Sequence, residues 1–390
     1  MFVVQQKNLH VGLALLAMAL GGFAIGTGEF VIMGLLPDVA HGLGRSVTTA
    51  GNAITSYALG VVVGAPLIAV SGARVSRQRL LIFLMTLFAA GNLASAFAPG
   101  YFSFIAVRFI SGLPHGAYFG VASLVAASMV PPEQRGKAIG RMMTGLTVAT
   151  LLGVPLAAWV GHHLSWHYAF LFVGICAACS ALMITGFIPY SKGDPSAHPL
   201  QELTALKAPR VLLSLLTGAA GFSGMFALFS YITPTLTHDA GLPGWGIPWA
   251  MAAFGLGMVA GMMAGGRLSD WSVTKSITVA LVWNLVVMAL FPLMAHHIAS
   301  GILVTFMIGT TSLLIPCLQI RLMDVAGKAQ TLAAAMNHSA LNMANALGAF
   351  LGGIIINAGM GWTSTAWVGG MLGIIGLVVY QYSLSLKPRD

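Results

Sequence analysis

The sequence predicts an all-α integral membrane protein, with twelve spanning helices in two similar six-helix halves. Three observations carry this. The chain has 390 residues, 57% of them hydrophobic and 7% charged, and a mean hydropathy of +0.88; an average soluble domain holds roughly 25% charged residues. Its apolar residues gather in runs of about 18 or more, the length that crosses a bilayer. Its bases alternate from loop to loop, as they do in a chain with a fixed orientation in a membrane. Nine acids and eighteen bases are too few to coat a soluble enzyme of this size.

Taken in order, the runs break at Pro, Gly and charged clusters. The first, 11–36, stops at Pro37. It is too long for a secretory leader, carries Glu29 and lacks a small-residue cleavage site after a short apolar core, so it reads as a retained helix. The second and third, 47–70 and 80–98, flank the basic stretch "SGARVSRQR". The fourth and fifth, 101–129 and 138–160, flank "VPPEQRGK", and the sixth, 168–188, runs to Pro189. The longest polar stretch of the chain follows, "PYSKGDPSAHPLQELTALKAPR". Beyond it lie the seventh to twelfth runs at 211–236, 247–265, 276–295, 299–320, 331–357 and 364–386. The polar stretch divides the runs six and six, into an amino-terminal bundle at 1–190, a linker at 191–210 and a carboxy-terminal bundle at 211–390.

With the amino terminus placed in the cytoplasm, sixteen of the eighteen bases fall on inside loops and tails. They are Lys7, Arg74, Arg77, Arg79, Arg135, Lys137, Arg141, Lys192, Lys207, Arg210, Arg267, Lys275, Arg321, Lys328, Lys387 and Arg389. Only Arg45 falls outside, and Arg108 lies within a span. The expectation is a multi-pass protein of a bacterial-type inner membrane with both termini cytoplasmic. The net charge of +9 is then a topology signal; a nucleic-acid partner would need a clustered basic face with polar and aromatic readers, and none is visible.

The two halves resemble one another. "IAVRFISG" at 105–112 aligns with "ILVTFMIG" at 302–309, "RGKA" at 135–138 with "AGKA" at 326–329, and "LSWHYAFLFVG" near Trp166 with "MGWTSTAWVGG" near Trp362. Repeated six-helix halves are typical of secondary transporters. Four motifs then appear in order. "GEFVIMGLLP" closes the first run, "RFISGLPHG" from Arg108 lies in the fourth, "GLTVATLLGVPLAAWVG" with Gly145, Gly153 and Pro155 in the fifth, and "GGRLSD" with Gly266, Leu268 and Asp270 follows the eighth. They resemble the R-x-x-x-G, Gly/Pro antiporter and G-x-L-x-D motifs of the major facilitator superfamily. Together the chain is similar to its twelve-spanning drug:proton antiporter family, in the arabinose-efflux-permease-like branch. The resemblance implies the major facilitator fold, alternating access around a central cavity and export of a small organic molecule against inward protons. It implies no cofactor beyond the proton gradient, and this fold can work as a monomer. One departure concerns the loop after the second run, where Gly72 is followed by Ser76 and Arg77 and the Asp of the first G-x-L-x-D loop is missing. Asp270 keeps that residue in the other half.

Glu29 is the one acid of nine that lies clearly inside a run. Asp38 closes the same helix; Glu133, Asp194, Glu202, Asp270, Asp324 and Asp390 fall in inside loops or tails, and Asp239 outside. A carboxyl at mid-membrane costs roughly 2.5–3.5 kcal/mol on insertion scales, so its presence is a functional signal. Arg108 is the matching cation. At about 1.5 Å per residue, Glu29 sits about 12 Å inward of Pro37 and Arg108 about 10 Å inward of Tyr101, a similar depth. The resemblance places both helices on one cavity, where the pair can meet directly or through a water. A dehydrated carboxyl holds a proton, and water or an approaching guanidinium favours its release. A structural Glu–Arg fastening is the competing reading.

His338, Asn342 and Asn345 fall on one face of the eleventh run, with Asn337 beside them, as a substrate-binding stripe or as interhelical hydrogen bonds. His115 follows Pro114, so it is either a titrating group or a neutral partner beside a kink. Phe222, Phe226, Phe229 and Tyr231 of the seventh run, with Met225, suit an adaptable substrate wall or plain packing, and Tyr57 is similarly open. Gly145, Gly153 and Pro155 act through backbone shape, by the resemblance a bend that favours exchange without leak, or through small-residue packing alone. Cys176 and Cys179 sit mid-helix and read as packing, and His162, His163 and His167 as surface residues, so no metal site is expected. No P-loop is present, so ATP-driven pumping and an enzyme reading are not expected. A sugar or nucleoside exporter of the same mechanism is the alternative reading, and a non-transporting receptor a more distant one.

Overall fold

The computed structural model describes residues 2–72, 74–131, 134–190, 208–326 and 330–386, with side chains of 2–10, 69, 136 and 330–335 excepted. Residues 191–207, most of the expected linker, lie outside the described residues, as do Glu133, Lys328 and 387–390. Among the described residues the regular structure is helical throughout.

The order is α1 (Phe2–Gly34), α2 (Leu36–Gly42), α3 (Val47–Gly72), α4 (Arg77–Ala96), α5 (Tyr101–Ser128), α6 (Arg135–Val148), α7 (Val154–His163) and α8 (Trp166–Phe187). There follow α9 (Pro209–Gly221), α10 (Ser223–Phe229), α11 (Ile232–His238), α12 (Ile247–Met294), α13 (Ile298–Thr310), α14 (Leu314–Val325), α15 (Gln330–Asn357) and α16 (Thr365–Ser385). Eleven helical segments among the described residues are long and apolar enough to cross a membrane. The longest, Gly244–Met294, has 51 residues, far more than the roughly 20 of one crossing. It leaves helical geometry at Ser272 (φ −168°, ψ 110°), just past "GGRLSD", so α12 has two arms and the described residues make twelve crossings. The amino end of α1 and the carboxy end of α16 therefore lie on one face, here the terminal face; the opposite one is the distal face.

Several crossings are broken where proline removes a backbone donor. Leu35 leaves helical geometry (φ −109°, ψ 12°) two residues before Pro37. A π turn, Ala149–Gly153, joins α6 to α7 ahead of Pro155, which cannot donate to the carbonyl of Leu151 inside that turn. A 3-10 turn, Thr311–Leu313, joins α13 to α14 just before Pro316. The seventh crossing is three short pieces, α9 to α11, parted at Phe222 and Tyr231.

The first half packs α3 on α5, α4 on α8 and α1 on α6 and α8; the second packs α12 on α13 and α9 on α16. Two seams join the halves, α3 on α15 and α7 on α12. The cores are unequal from face to face. One apolar cluster runs through the second half and takes in only the distal part of the first, including Phe30, Leu36, Ile54, Phe104 and Phe170. A second, with Leu15, Met85, Phe119 and Ile184, belongs to the first half alone, and a small third around Val211, Leu318 and Leu322 to the second. The halves thus share a core at the distal face and have separate ones toward the terminal face. Hydrogen bonds reinforce the distal closure: Thr233 Oγ1 donates to the Met33 carbonyl at 2.9 Å and Thr48 Oγ1 to Asn357 Oδ1 at 2.6 Å. At the terminal face a cavity of about 680 Å³ opens between Val11, Ser128, Gln134, Lys137 and Arg141.

Candidate functional site

Glu29 is 6% exposed and is the one buried carboxylate among the described residues. The sequence put it at the depth of Arg108, and the structure does bring the two together, though not as an ion pair. No contact within 4.0 Å joins their charged atoms. Arg108 instead donates through Nη2 to the Gly28 carbonyl at 3.1 Å and lies 4.4 Å above the Tyr57 ring and 5.3 Å from that of Phe170. Its Nε and Nη1 find no partner among the described residues. The guanidinium is held by a backbone carbonyl and two aromatic faces, with donors left for a carboxylate that moves closer.

Asn345 stands beside the Glu29 carboxyl from the other half of the molecule. Neither of its amide atoms has a hydrogen-bond partner within 3.5 Å among the described residues. The same holds for Asn342 Oδ1, while Asn342 Nδ2 donates to the His338 carbonyl at 3.1 Å. Asn337 points elsewhere, donating to Gln319 Oε1 at 2.6 Å. The stripe expected on the eleventh run therefore faces the first half with hydrogen-bonding capacity unused.

A second polar level lies one step closer to the terminal face. His115 follows Arg108 by seven residues on α5, and His338 precedes Asn345 by seven on α15; each step is about 10 Å along a helix. The two imidazoles meet with ring centroids 6.0 Å apart, and Phe119 lies nearly parallel to His338 at 5.3 Å. Tyr57 connects the levels. Its ring lies under Arg108 and its hydroxyl is hydrogen-bonded to His115 Nδ1 at 3.0 Å.

The aromatic residues of the seventh crossing lie above this site, packed in a closed seal. Phe222, Phe226, Phe229 and Tyr231 are all buried. Phe30, next to Glu29, lies 6.4 Å from Phe226, 6.2 Å from Phe229 and 5.9 Å from Phe254, and the last two stack at 3.5 Å. Tyr231 donates to the Ala349 carbonyl at 2.8 Å. Phe30 and Phe254 complete the cluster; their only sequence signal was being large and apolar.

The Gly/Pro motif shapes the wall beside Glu29. A side chain on Gly145 would run into the Ala19 carbonyl, and one on Gly153 into Thr27 and Phe23, so both glycines let the fifth crossing lie against α1. Gly145→Val is expected to cost about 1–3 kcal/mol through overpacking. Thermal unfolding in detergent should show it as a lowered midpoint; an unchanged midpoint would mean that α1 and α6 part freely.

The remaining motif residues lie at the terminal face. Gly72 is buried beside Leu80, Arg77 and Asp270 are exposed, and Asp270 makes no hydrogen bond or ion pair among the described residues. At the distal face His162, read from the sequence as a surface residue, lies 3.4 Å from Asp38. Asp38 lies on α2, just past the break at Leu35, and distance along the chain did not reveal this contact.

Twelve crossings that share a core at one face, part toward the other and bury a carboxylate between, define a multi-pass membrane transporter. Comparison with known proteins agrees. The family model described as Major Facilitator Superfamily matches residues 18–328 and again 234–390. The chain is 37% identical over 384 residues to the "Inner membrane transport protein YdhP" of Escherichia coli (strain K12), covering 98% of each. It is 32% identical over 372 residues to the "Chloramphenicol resistance protein" of Streptomyces lividans, covering 94% of this chain and 95% of that one. Among solved structures, a bacterial homologue of the human lysosomal transporter Spinster, inward-facing and unoccupied, superposes with a TM-score of 0.70 at 15% identity over 96% of this chain and 97% of that one. The chain belongs to the Major Facilitator Superfamily.

Proposed function

We propose that this transporter exports a small organic molecule, a drug or toxic metabolite, across a bacterial-type inner membrane in exchange for inward protons. The observation that carries the reading is Glu29, buried beside Asn345 of the opposite half and next to an Arg108 that is not yet paired with it. A carboxyl in such a place takes a proton when dry and gives it up when water or the guanidinium reaches it. Substrate and proton then exclude one another, which couples opposite fluxes without a covalent step. The terminal face is the cytoplasmic one on the distribution of bases, so the closed distal face is periplasmic. Asp270 would engage when the two bundles rock shut at the cytoplasmic face. The names of the relatives, an inner membrane transport protein and a chloramphenicol resistance protein, support this reading.

A second substrate class has its own observation in favour. The unused amide atoms of Asn342 and Asn345 suit a hydroxyl- or amide-bearing ligand, such as a sugar or nucleoside, better than a purely lipophilic one. Proton release from detergent-purified protein, titrated with lipophilic cations, sugars and nucleosides, decides between them. One class should release protons from the wild type and none from Glu29→Gln. Binding without release in the wild type would point to a facilitator that uses no proton.

A further inference from the structure

The imidazoles of His115 and His338 have no part in the scheme above, yet they form the polar contact between the halves nearest the terminal face of the site. We propose that they are a second proton-binding site, a pair that holds one proton between the two bundles, so that the transporter moves two protons per cycle. This rests on the proton-coupled reading of Glu29.

The geometry supports it in three ways. First, the Tyr57 hydroxyl occupies Nδ1 of His115 at 3.0 Å, which leaves Nε2 as the ring nitrogen available to a partner. Second, His338 is that partner by position, with its ring centroid 6.0 Å away. Two imidazolium ions in contact at a dry site repel strongly, so the pair accepts one proton and not two. Third, the Phe119 ring, nearly parallel to His338 at 5.3 Å, offers a π face to a cation. His115 is 3% exposed and His338 partly buried.

The other ionisable groups facing the pair are few. Tyr57 comes from α3, Arg108 lies one level up on α5, and Glu29 lies on α1. Tyr118 turns away and donates to the Met18 carbonyl at 2.7 Å. The one anionic group among these is Glu29, about one helical level distant. Occupation of the two sites is therefore linked. Arg108 opposes a proton on the histidines; when Glu29 is ionised it offsets that charge, and a proton on Glu29 removes the offset. Because His115 and His338 belong to different halves, a proton shared between them also fastens the halves at mid-depth, and its loss loosens them.

The test is the proton-to-substrate ratio, from reversal potentials in proteoliposomes with opposed pH and substrate gradients. The wild type should give a ratio of two, and His115→Gln and His338→Gln a ratio of one with transport retained. A ratio that stays at the wild-type value in both variants would overturn the proposal. If either variant fails to transport, acid titration of the purified proteins gives the same answer, with one proton fewer bound by the double variant His115→Gln/His338→Gln than by the wild type. Equal proton uptake would overturn it. Glu29→Gln serves as the separate control. Should that variant keep full coupling, the parent reading fails whatever the histidines do; should it uncouple while the histidine variants keep the wild-type ratio, only the second site falls.

Discussion

Glu29→Gln is expected to reduce pH-gradient-driven uptake into inverted vesicles to the level of vesicles without the protein, while substrate exchange at equal pH continues. The amide matches the carboxylic acid in size and remains neutral at every pH. It therefore keeps the packing beside Phe30 and Asn345 and removes only the change of charge. In the folded protein Glu29 makes no ion pair within 4.0 Å, so the substitution leaves no buried cation newly stranded and folding should be preserved. Undiminished uptake by the variant would show that another group carries the proton. Loss of exchange along with uptake would make the carboxylate part of the substrate site itself.

Arg108→Ala should be nearly as severe for a different reason. Fully buried, this side chain is held by the Gly28 carbonyl and by the faces of Tyr57 and Phe170. A hydrogen bond from a charged donor contributes about 1.5–3 kcal/mol and a desolvated cation–π contact about 2 kcal/mol. Both vanish in the alanine variant, together with the cation that would stabilise an ionised Glu29. Proton-coupled transport is expected to fall at least about tenfold, and Arg108→Lys, which keeps the charge but not the planar donor array, to fall between the two. Wild-type rates in both variants would reduce Arg108 to a fastening between helices.

How much of this could be read from the sequence follows from distance. Twelve crossings are legible because each needs its own apolar run, and even the 48-residue α12 separates into two arms where "GGRLSD" interrupts the run. The depths of Glu29 and Arg108 follow from counting residues along single helices, as does the one-face alignment of His338, Asn342 and Asn345. What counting does not supply is rotation about the helix axis and contact between helices. Arg108 therefore turned out to bond the Gly28 carbonyl before the carboxylate. The seventh-crossing aromatics proved to be packed against Phe30 and Phe254 in a seal, and Asp38, past the break at Leu35, came beside His162. The π turn at Ala149–Gly153 lies within the motif that signalled altered backbone shape, but its register is a property of the packed helix.

The core shared by the halves at the distal face has a thermal consequence. Any state that opens this face must hydrate the aromatic surface now held among Phe30, Phe226, Phe229 and Phe254, and hydrating apolar surface raises the heat capacity. Apolar association weakens on cooling, so in the proposed exchange cycle the balance between the two openings should tilt toward the distal side as temperature falls. Cold then acts on this transporter as an effector without a binding site.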